Sequence, residues 1–428
     1  MTALITKYKF TKKIAVNSFL LIATLYFLMA CTGGRRPKDK IGTGAESPID
    51  TIQISSPADR IKPVVNVYIE NSGSMDGYVK GVTEFEISIY SYLSDIKIAE
   101  IADSLNLFYI NSKTIPQGSD IEDFIQKLEP STFKQKGGDR GRSDIANVIK
   151  DVLLQTKEND ISILVTDGIF SPGKGINASE YLANQQIGIK TQIADFLKRE
   201  KNAAVIVYQL SSKFNGIYYN KRDAKIPLTA QRPFYLWIIG SSQHLVDLDR
   251  ALPKSKFKGS GVQNVFSITS GSRQVKYAIN PSIGRFKKSK TNTRTTIENL
   301  EKDSRTGKVK FAVNVDFSGL LLDETYLLNA DNYENNSKYK LEIKPSVSVN
   351  KNYTHTLNFT SDKIYKGPVS VKLKMKRPDW VDEVNDDDGS TAAEGKTYGI
   401  KYQIDGVFEA FIFDDKNKYY TEIKININ

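Results

Sequence analysis

The chain has 428 residues, enough for two ordinary domains or three small ones once a leader is removed, and its 40% hydrophobic and 25% charged content is that of a soluble globular protein. The net charge is +11, falling to +7 without the leader lysines Lys7, Lys9, Lys12 and Lys13. It reads as thinly spread with no dense basic block, which leaves a mild attraction to anionic surfaces and excludes nucleic acid from the expected partners. The one cysteine, Cys31, excludes an intramolecular disulfide, so a secreted form must be held by its core.

Met1 to Lys13 is a basic leader, and an apolar run follows from Ile14 to Ala30. This is the layout of a secretory signal. Leu28-Met29-Ala30-Cys31 resembles the bacterial lipobox, in which the cysteine receives a lipid; the alternative is a plain membrane anchor with an incidental cysteine. Residues 1–30 are thus expected to be a lipoprotein signal peptide. Residues 31–59, rich in Gly, Ser, Pro and charge, are expected to be a flexible tether. No acidic run follows Cys31, which points to the periplasm-facing side of the outer membrane.

Next comes an alternation of strands and helices. Val64–Ile69, Leu107–Ile110, Ile161–Thr166, Ala203–Leu210 and Pro233–Gly240 are apolar strands. Apolar residues at helical spacing predict helices over 85–105, 121–128, 143–154, 186–198 and 244–252. Continuously apolar strands between helices predict a mainly parallel α/β sheet over residues 60–252. After Pro253 the helical periodicity fades into short β-rich runs, at 309–315, 338–343, 355–359, 369–375, 398–403 and 419–427. Residues 255–428 therefore predict an all-β domain, a sandwich.

Three segments carry oxygen donors to the expected carboxyl edge of the first sheet, where open α/β sheets bind ligands. Strand one ends in Glu70-Asn71-Ser72-Gly73-Ser74-Met75, a carboxylate and two hydroxyls at alternate positions. Strand 161–166 ends in Asp167-Gly168, and the loop Gly137–Asp144 offers Ser143. A set of oxygens with no His or Cys suits a hard cation, magnesium or manganese. A local alternative is that Ser72 and Ser74 only bond amides in a turn.

The run ENSGSM resembles the D-x-S-x-S motif of the von Willebrand factor type A domain's metal-ion-dependent adhesion site. Ser143-Asp144-Ile145 resembles that family's T-D-[IL] element, and Leu164–Gly168 its strand-terminal carboxylate, all in the family's order. The resemblance spans about residues 60–252. It implies that Ser72, Ser74 and Ser143 bind the ion directly, that Glu70 and Asp167 do so directly or through water, and that a carboxylate of a protein partner completes the shell. Glu stands where the family has Asp, and Ser143 where it has Thr. The expected function is binding, not catalysis, by a lipid-anchored protein of the cell envelope. The alternatives are a scaffold with a degenerate site, or a metal-dependent hydrolase using Asp76, Asp139 or Asp144 as base.

Weaker features have plainer readings. Asp386-Asp387-Asp388-Gly389 lacks the alternation of a calcium loop and reads as a solvated acidic turn. His244 and His355 read as packing or surface residues, and Trp380 as a buried aromatic of the β domain.

Overall fold

The structure, a computed structural model, describes residues 61–141, 144–271, 273–346, 352–414 and 418–428. The leader, Cys31, the tether and Ser143 lie outside the described residues. From Asp59 to Asn428 the chain forms one compact unit.

The first sheet has seven strands: β1 (Val64–Glu70), β2 (Ser104–Ile110), β3 (Thr114–Gly118), β4 (Asp160–Thr166), β5 (Ala203–Tyr219), β6 (Lys225–Ser241) and β7 (Asn264–Thr269). They lie in the order β3-β2-β1-β4-β6-β5-β7. Only β2, β1 and β4 are mutually parallel, and every other pairing is antiparallel. The expectation of a mainly parallel sheet is therefore corrected. Continuous apolarity reports burial on both faces, not strand direction. The expected strands 203–210 and 233–240 are the buried inner halves of one 17-residue-by-17-residue hairpin, whose turn at Asn220–Ala224 leaves no room for a crossover helix. β7 completes this sheet from beyond Pro253, pairing along β5 from Ala204 to Gln209.

Six helices belong to this region: α1 (Glu84–Ile98), α2 (Ile121–Gln126), α3 (Pro130–Gln135), α4 (Ile145–Gln155), α5 (Ala178–Arg199) and α6 (Ser242–Ala251). α1 stops seven residues short of the expected end. Glu100 turns into the left-handed region at φ 50, and Ser104 already pairs in β2. α5 begins eight residues before the expected start, at the Asn177 cap, because its first two turns bury only Leu182 and leave no apolar stripe to read.

Alternate residues of each central strand feed two cores. Val65, Val67 and Ile69 join Phe85, Ile89 and Leu93 of α1 on one face. Tyr68, Val205, Val207 and Trp237 join α4 and α5 on the other. The second core runs on without a break into the rest of the chain, through Phe311, Val371, Val407 and Ile425.

That remainder builds an eight-stranded sheet from β8 (Lys276–Lys288), β9 (Thr296–Glu301), β10 (Val309–Asp316), β11 (Tyr333–Asn335), β12 (Lys340–Pro345), β13 (His355–Ser361), β14 (Gly367–Lys374) and β17 (Tyr419–Ile427). A short pair, β15 (Asn385–Asp386) and β16 (Thr397–Tyr398), stands apart. Where the texture predicted a sandwich of separate sheets, the eight strands form one hydrogen-bonded sheet. Its halves meet at β9–β17 through only two residue pairs. The region is β-rich but not all-β. It contains α7 (Glu324–Leu328), α8 (Trp380–Glu383) and α9 (Ile400–Asp414). Of the strand expected at 398–403, Tyr398 is the end of β16, and from Ile400 the chain is the start of α9. Ile400, Ile404, Val407 and Phe411 recur at helical spacing and pack along α5, where Gly406 sits within contact of Ile189. Trp380 is half-buried, its indole N–H donating to Val265 O at 3.0 Å. The acidic turn is tied down as well as solvated, with Asp386 accepting from the Asp388 and Gly389 amides and Asp388 pairing with Lys221.

The charge is not thinly spread. Residues 276–310 hold ten lysines and arginines against three acids, while the other residues from 61 onward hold 41 basic and 42 acidic side chains. The basic residues are separated along the sequence but gathered by antiparallel pairing of β8, β9 and β10.

His355 is 3% exposed on β13, with Nδ1 2.9 Å from the Thr354 hydroxyl and Nε2 3.3 Å from Glu324. Burial holds its pKa below the ordinary value, and Glu324 only partly opposes this. Between that depressed value and about 6.5 the unfolded chain binds the extra proton. Stability is therefore full above about pH 6.5 and falls as the pH drops towards the folded pKa, by at most about 1.4 kcal/mol per unit. His355→Gln is expected to flatten the fall in the urea midpoint between pH 7 and pH 5; an unchanged slope would assign the acid sensitivity elsewhere.

Candidate metal centre

The parallel triplet β2-β1-β4 sets the geometry. Ile69 pairs with Val165, so β1 and β4 end side by side and deliver Glu70 and Asp167 to one edge. Both are 1% exposed. The Thr166 hydroxyl donates to Glu70 Oε2 and accepts the Gly168 amide at 2.9 Å, locking the end of β4. Asp167 Oδ1 accepts the Ile169 amide at 3.1 Å. Asp167 Oδ2 is fully enclosed and has no hydrogen-bond partner among the described residues.

Beyond Glu70 the chain turns through a short 3-10 segment, Gly73–Gly77. Ser72 stands at its N-cap position but makes no side-chain cap bond. Its hydroxyl instead meets that of Ser74 at 3.0 Å. The two side chains thus lie on one side of the turn, and amide capping by Ser72 is not what the turn uses it for. A Cβ at Gly73 would lie 3.0 Å from the Tyr219 hydroxyl oxygen, a tight contact that Tyr219 would have to relieve by shifting.

The third loop is strapped onto the first. Arg140 Nε donates to Asn71 O at 2.6 Å, its Nη2 to Ser72 O at 3.1 Å, and it pairs with Asp76. Gly73 N–H returns a bond to Arg140 O at 2.9 Å. Asn111 joins the two loops from the end of β2, donating to Asn71 Oδ1 at 2.9 Å and Gly137 O at 3.0 Å. A Cβ on Gly138 would fall 2.0 Å from Asn111 Oδ1, so this loop admits only glycine there. Asp144 is the N-cap of α4, accepting the Ala146 and Asn147 amides at 3.2 and 3.4 Å. Ser143 falls between Gly141 and Asp144, outside the described residues, on the loop that Arg140 docks against Ser72.

The electrostatics follow from enclosure. The Asp167 carboxyl is pushed up to about 7, first by burial and then by the negative charge of Glu70. The nearby Ser74 hydroxyl, the Ile169 amide and Arg232 pull the other way. Arg232 is 2% exposed on β6, with its guanidinium 5.1 Å from the Tyr218 ring centre and Nη1 donating to Ala393 O at 3.1 Å.

The structure brings Glu70, Ser72, Ser74 and Asp167 close to one another, while Ser143 lies outside the described residues. Several supporting residues were not anticipated. Arg140 and Asn71 had a visible signal, since they sit inside the loops already singled out, and Asn111 follows directly on the expected strand 107–110. Arg232 and Gln403 had none. Gln403, on α9, donates to Gly168 O at 2.6 Å, while Phe170 N–H reaches Tyr398 O at 3.4 Å and Tyr235 bonds the Thr397 hydroxyl at 3.0 Å. The second half of the chain therefore walls the site, although the motifs stop at Gly168.

The donors are all oxygens: two carboxylates and two hydroxyls on rigid strand ends. Among the described residues no three His, Cys, Asp or Glu side chains form a metal-holding group, so any ion here leans on hydroxyls and water. Such a set fits magnesium or manganese rather than zinc. Asp167 Oδ2 is one of the enclosed side-chain oxygens without a hydrogen-bond partner among the described residues, while the Ser74 hydroxyl acts on the same carboxyl. No family model, no curated protein and no solved structure matches the chain.

Proposed function

We propose that this protein is an envelope-anchored binding protein whose first sheet carries an adhesion-type metal site resembling that of von Willebrand factor type A domains. Ser72 and Ser74 bind Mg2+ or Mn2+ directly, with Ser143 as the third hydroxyl. Glu70 and Asp167 bind it directly or through water. When bound, the ion supplies a positively charged open position for an exposed carboxylate of a protein partner. The lipid at Cys31 tethers the chain to a membrane, on the periplasm-facing side of the outer membrane.

One observation carries the reading: an enclosed carboxylate oxygen with no partner lies beside two hydroxyls, one of them free of its cap role. Two further points support it. The parallel pair β1 and β4 ends in Glu70 and Asp167 at one rim, and Arg140 ties its own loop to the Ser72 turn. The three carboxylates open to nomination as a catalytic base are all engaged structurally: Asp76 in the Arg140 pair, Asp139 in accepting the Gly141 amide and Asp144 in capping α4. That favours capture over hydrolysis.

Calorimetric titration with magnesium and manganese chloride tests the reading. The wild-type protein is expected to bind one ion, and Ser72→Ala/Ser74→Ala to lose at least about a hundredfold in affinity, the upper range for losing ligands or their supports. Circular dichroism should show the double variant folded. No heat of binding in the wild-type protein, or equal affinity in the variant, leaves the scaffold reading in its place.

A further inference from the structure

We propose that the face built by β8, β9, the turn between them and the turn from β9 to β10 is a docking surface for a membrane leaflet carrying anionic phospholipid. This is a second site, distinct from the metal centre and independent of it.

The observation is charge gathered with little neutralisation, ten basic residues against three acids. All ten basic residues of 276–310 are exposed: Lys276, Arg285, Lys287, Lys288, Lys290, Arg294, Lys302, Arg305, Lys308 and Lys310. Among the described residues the stretch makes one ion pair, Arg285 with Glu301 at 3.8 Å, whereas lysines and arginines elsewhere pair repeatedly. Pairing explains how scattered residues become one face. Arg285 lies across from Glu301, Lys287 across from Glu298, and Gly284 across from Phe311, beside Lys310. Lys302 bridges to Val309, drawing Lys308 into the same corner. An open depression of about 680 Å³ adds Lys366 to Arg285 and Lys287, with Glu301 on its rim. Asp303 is held charged by the Arg305 and Thr306 amides and acts on Lys310, so with Glu298 and Glu301 it offsets three of the ten positive charges and leaves a large excess.

The chemistry selects the occupant. The face offers ammonium and guanidinium groups on long stems, and its aromatic residues Tyr277 and Phe286 are half-buried. Ile364, 38% exposed, lines the depression, but the ten basic groups far outnumber it, and the face offers charge rather than the fully exposed aromatic anchors of protein and single-strand interfaces. A dispersed positive sheet face with an open depression suits many phosphate headgroups in a plane. Each basic residue at an anionic leaflet contributes about 1 kcal/mol, roughly a fivefold gain in partition.

Sedimentation of the compact unit Asp59–Asn428 with lipid vesicles tests this, since that unit lacks the leader and Cys31 and can bind only through its surface. Binding to phosphatidylcholine vesicles containing phosphatidylglycerol is expected, with none to pure phosphatidylcholine and a steep loss at high salt. The triple variant Lys287→Gln/Lys290→Gln/Lys310→Gln is expected to lower the partition about a hundredfold. Lys150→Gln/Lys201→Gln/Lys256→Gln, which removes equal charge elsewhere, should leave it unchanged. Absence of binding, an equal loss in both triple variants, or binding to heparin without binding to the anionic vesicles would overturn the proposal. Chelator should make no difference, so this result and the metal titration fail independently.

Discussion

Arg232→Met is expected to lower the unfolding free energy by about 3–5 kcal/mol, the range for removing one partner from a buried charge group. Arg232 is all but inaccessible, and its charge acts on Asp167 and on Tyr78, Tyr218 and Tyr235 around it. Methionine fills much of the stem volume, so the loss measures charge and hydrogen bonding rather than a cavity. Three contributions are removed together. The carboxylate edge loses its countercharge, the Tyr218 ring loses its cation, and Ala393 O loses its donor. The last contact holds the segment that leads into β16 and α9, so the wall over Gly168 should loosen too. Arg232→Lys is expected to fall between, because an ammonium keeps the charge without the planar fork. Urea denaturation in chelator at pH 8 reads the loss. A cost below about 1 kcal/mol, the level of a surface ion pair, would show that the edge carboxylates do not depend on this guanidinium.

Arg232 also marks where the sequence stops being informative. Its neighbours Gln231 and Pro233 give no sign that a cation here lies near enough to act on Asp167, because that depends on β6 lying beside β4. What could be read ahead was local. Alternation in Glu70-Asn71-Ser72-Gly73-Ser74 places two hydroxyls on one side of a turn, and the structure brings them within 3.0 Å. The apolar runs at 64–69 and 161–166 marked buried strands, and their ends fixed the carboxylate edge. Strand direction was not local. The runs at 203–210 and 233–240 are apolar because both faces are covered, and only the Asn220–Ala224 turn makes them antiparallel. The helix at Ile400–Asp414 was obscured by its β-branched residues, Ile400, Ile404, Val407 and Ile412, which favour strands intrinsically. Packing on α5 decides the matter, through the bare backbone that Gly406 presents to Gln186 and Ile189. Charge was likewise misread along the sequence, because β8 pairs with both β9 and β10 and so brings together residues that the chain holds well apart.

Asp167→Asn is expected to do two opposite things, and their combination identifies the site. It should abolish ion binding while stabilising the ion-free fold. Asp167 is pushed up to about 7 from an ordinary value of 3.8, chiefly by burial and next by Glu70. Between those two values the native state holds a proton that the unfolded chain has released. The ion-free fold therefore loses stability as pH rises from about 4 towards 7, and carries the full penalty above 7. Asparagine cannot ionise, yet its carbonyl oxygen can still accept the Ile169 amide. Its benefit is accordingly nil near pH 4 and greatest at pH 8, up to about 4 kcal/mol from the size of the shift. A cation reverses the ranking. It needs the charged form, so wild-type affinity should drop about tenfold per pH unit below 7, and bound ion should raise the wild-type melting temperature but not that of the variant. Thermal melts at pH 5 and pH 8, with chelator and with manganese, read all four corners. If the variant is less stable than wild type in chelator at pH 8, the buried edge is held by the Asp167 charge itself, and no cation is needed to explain it.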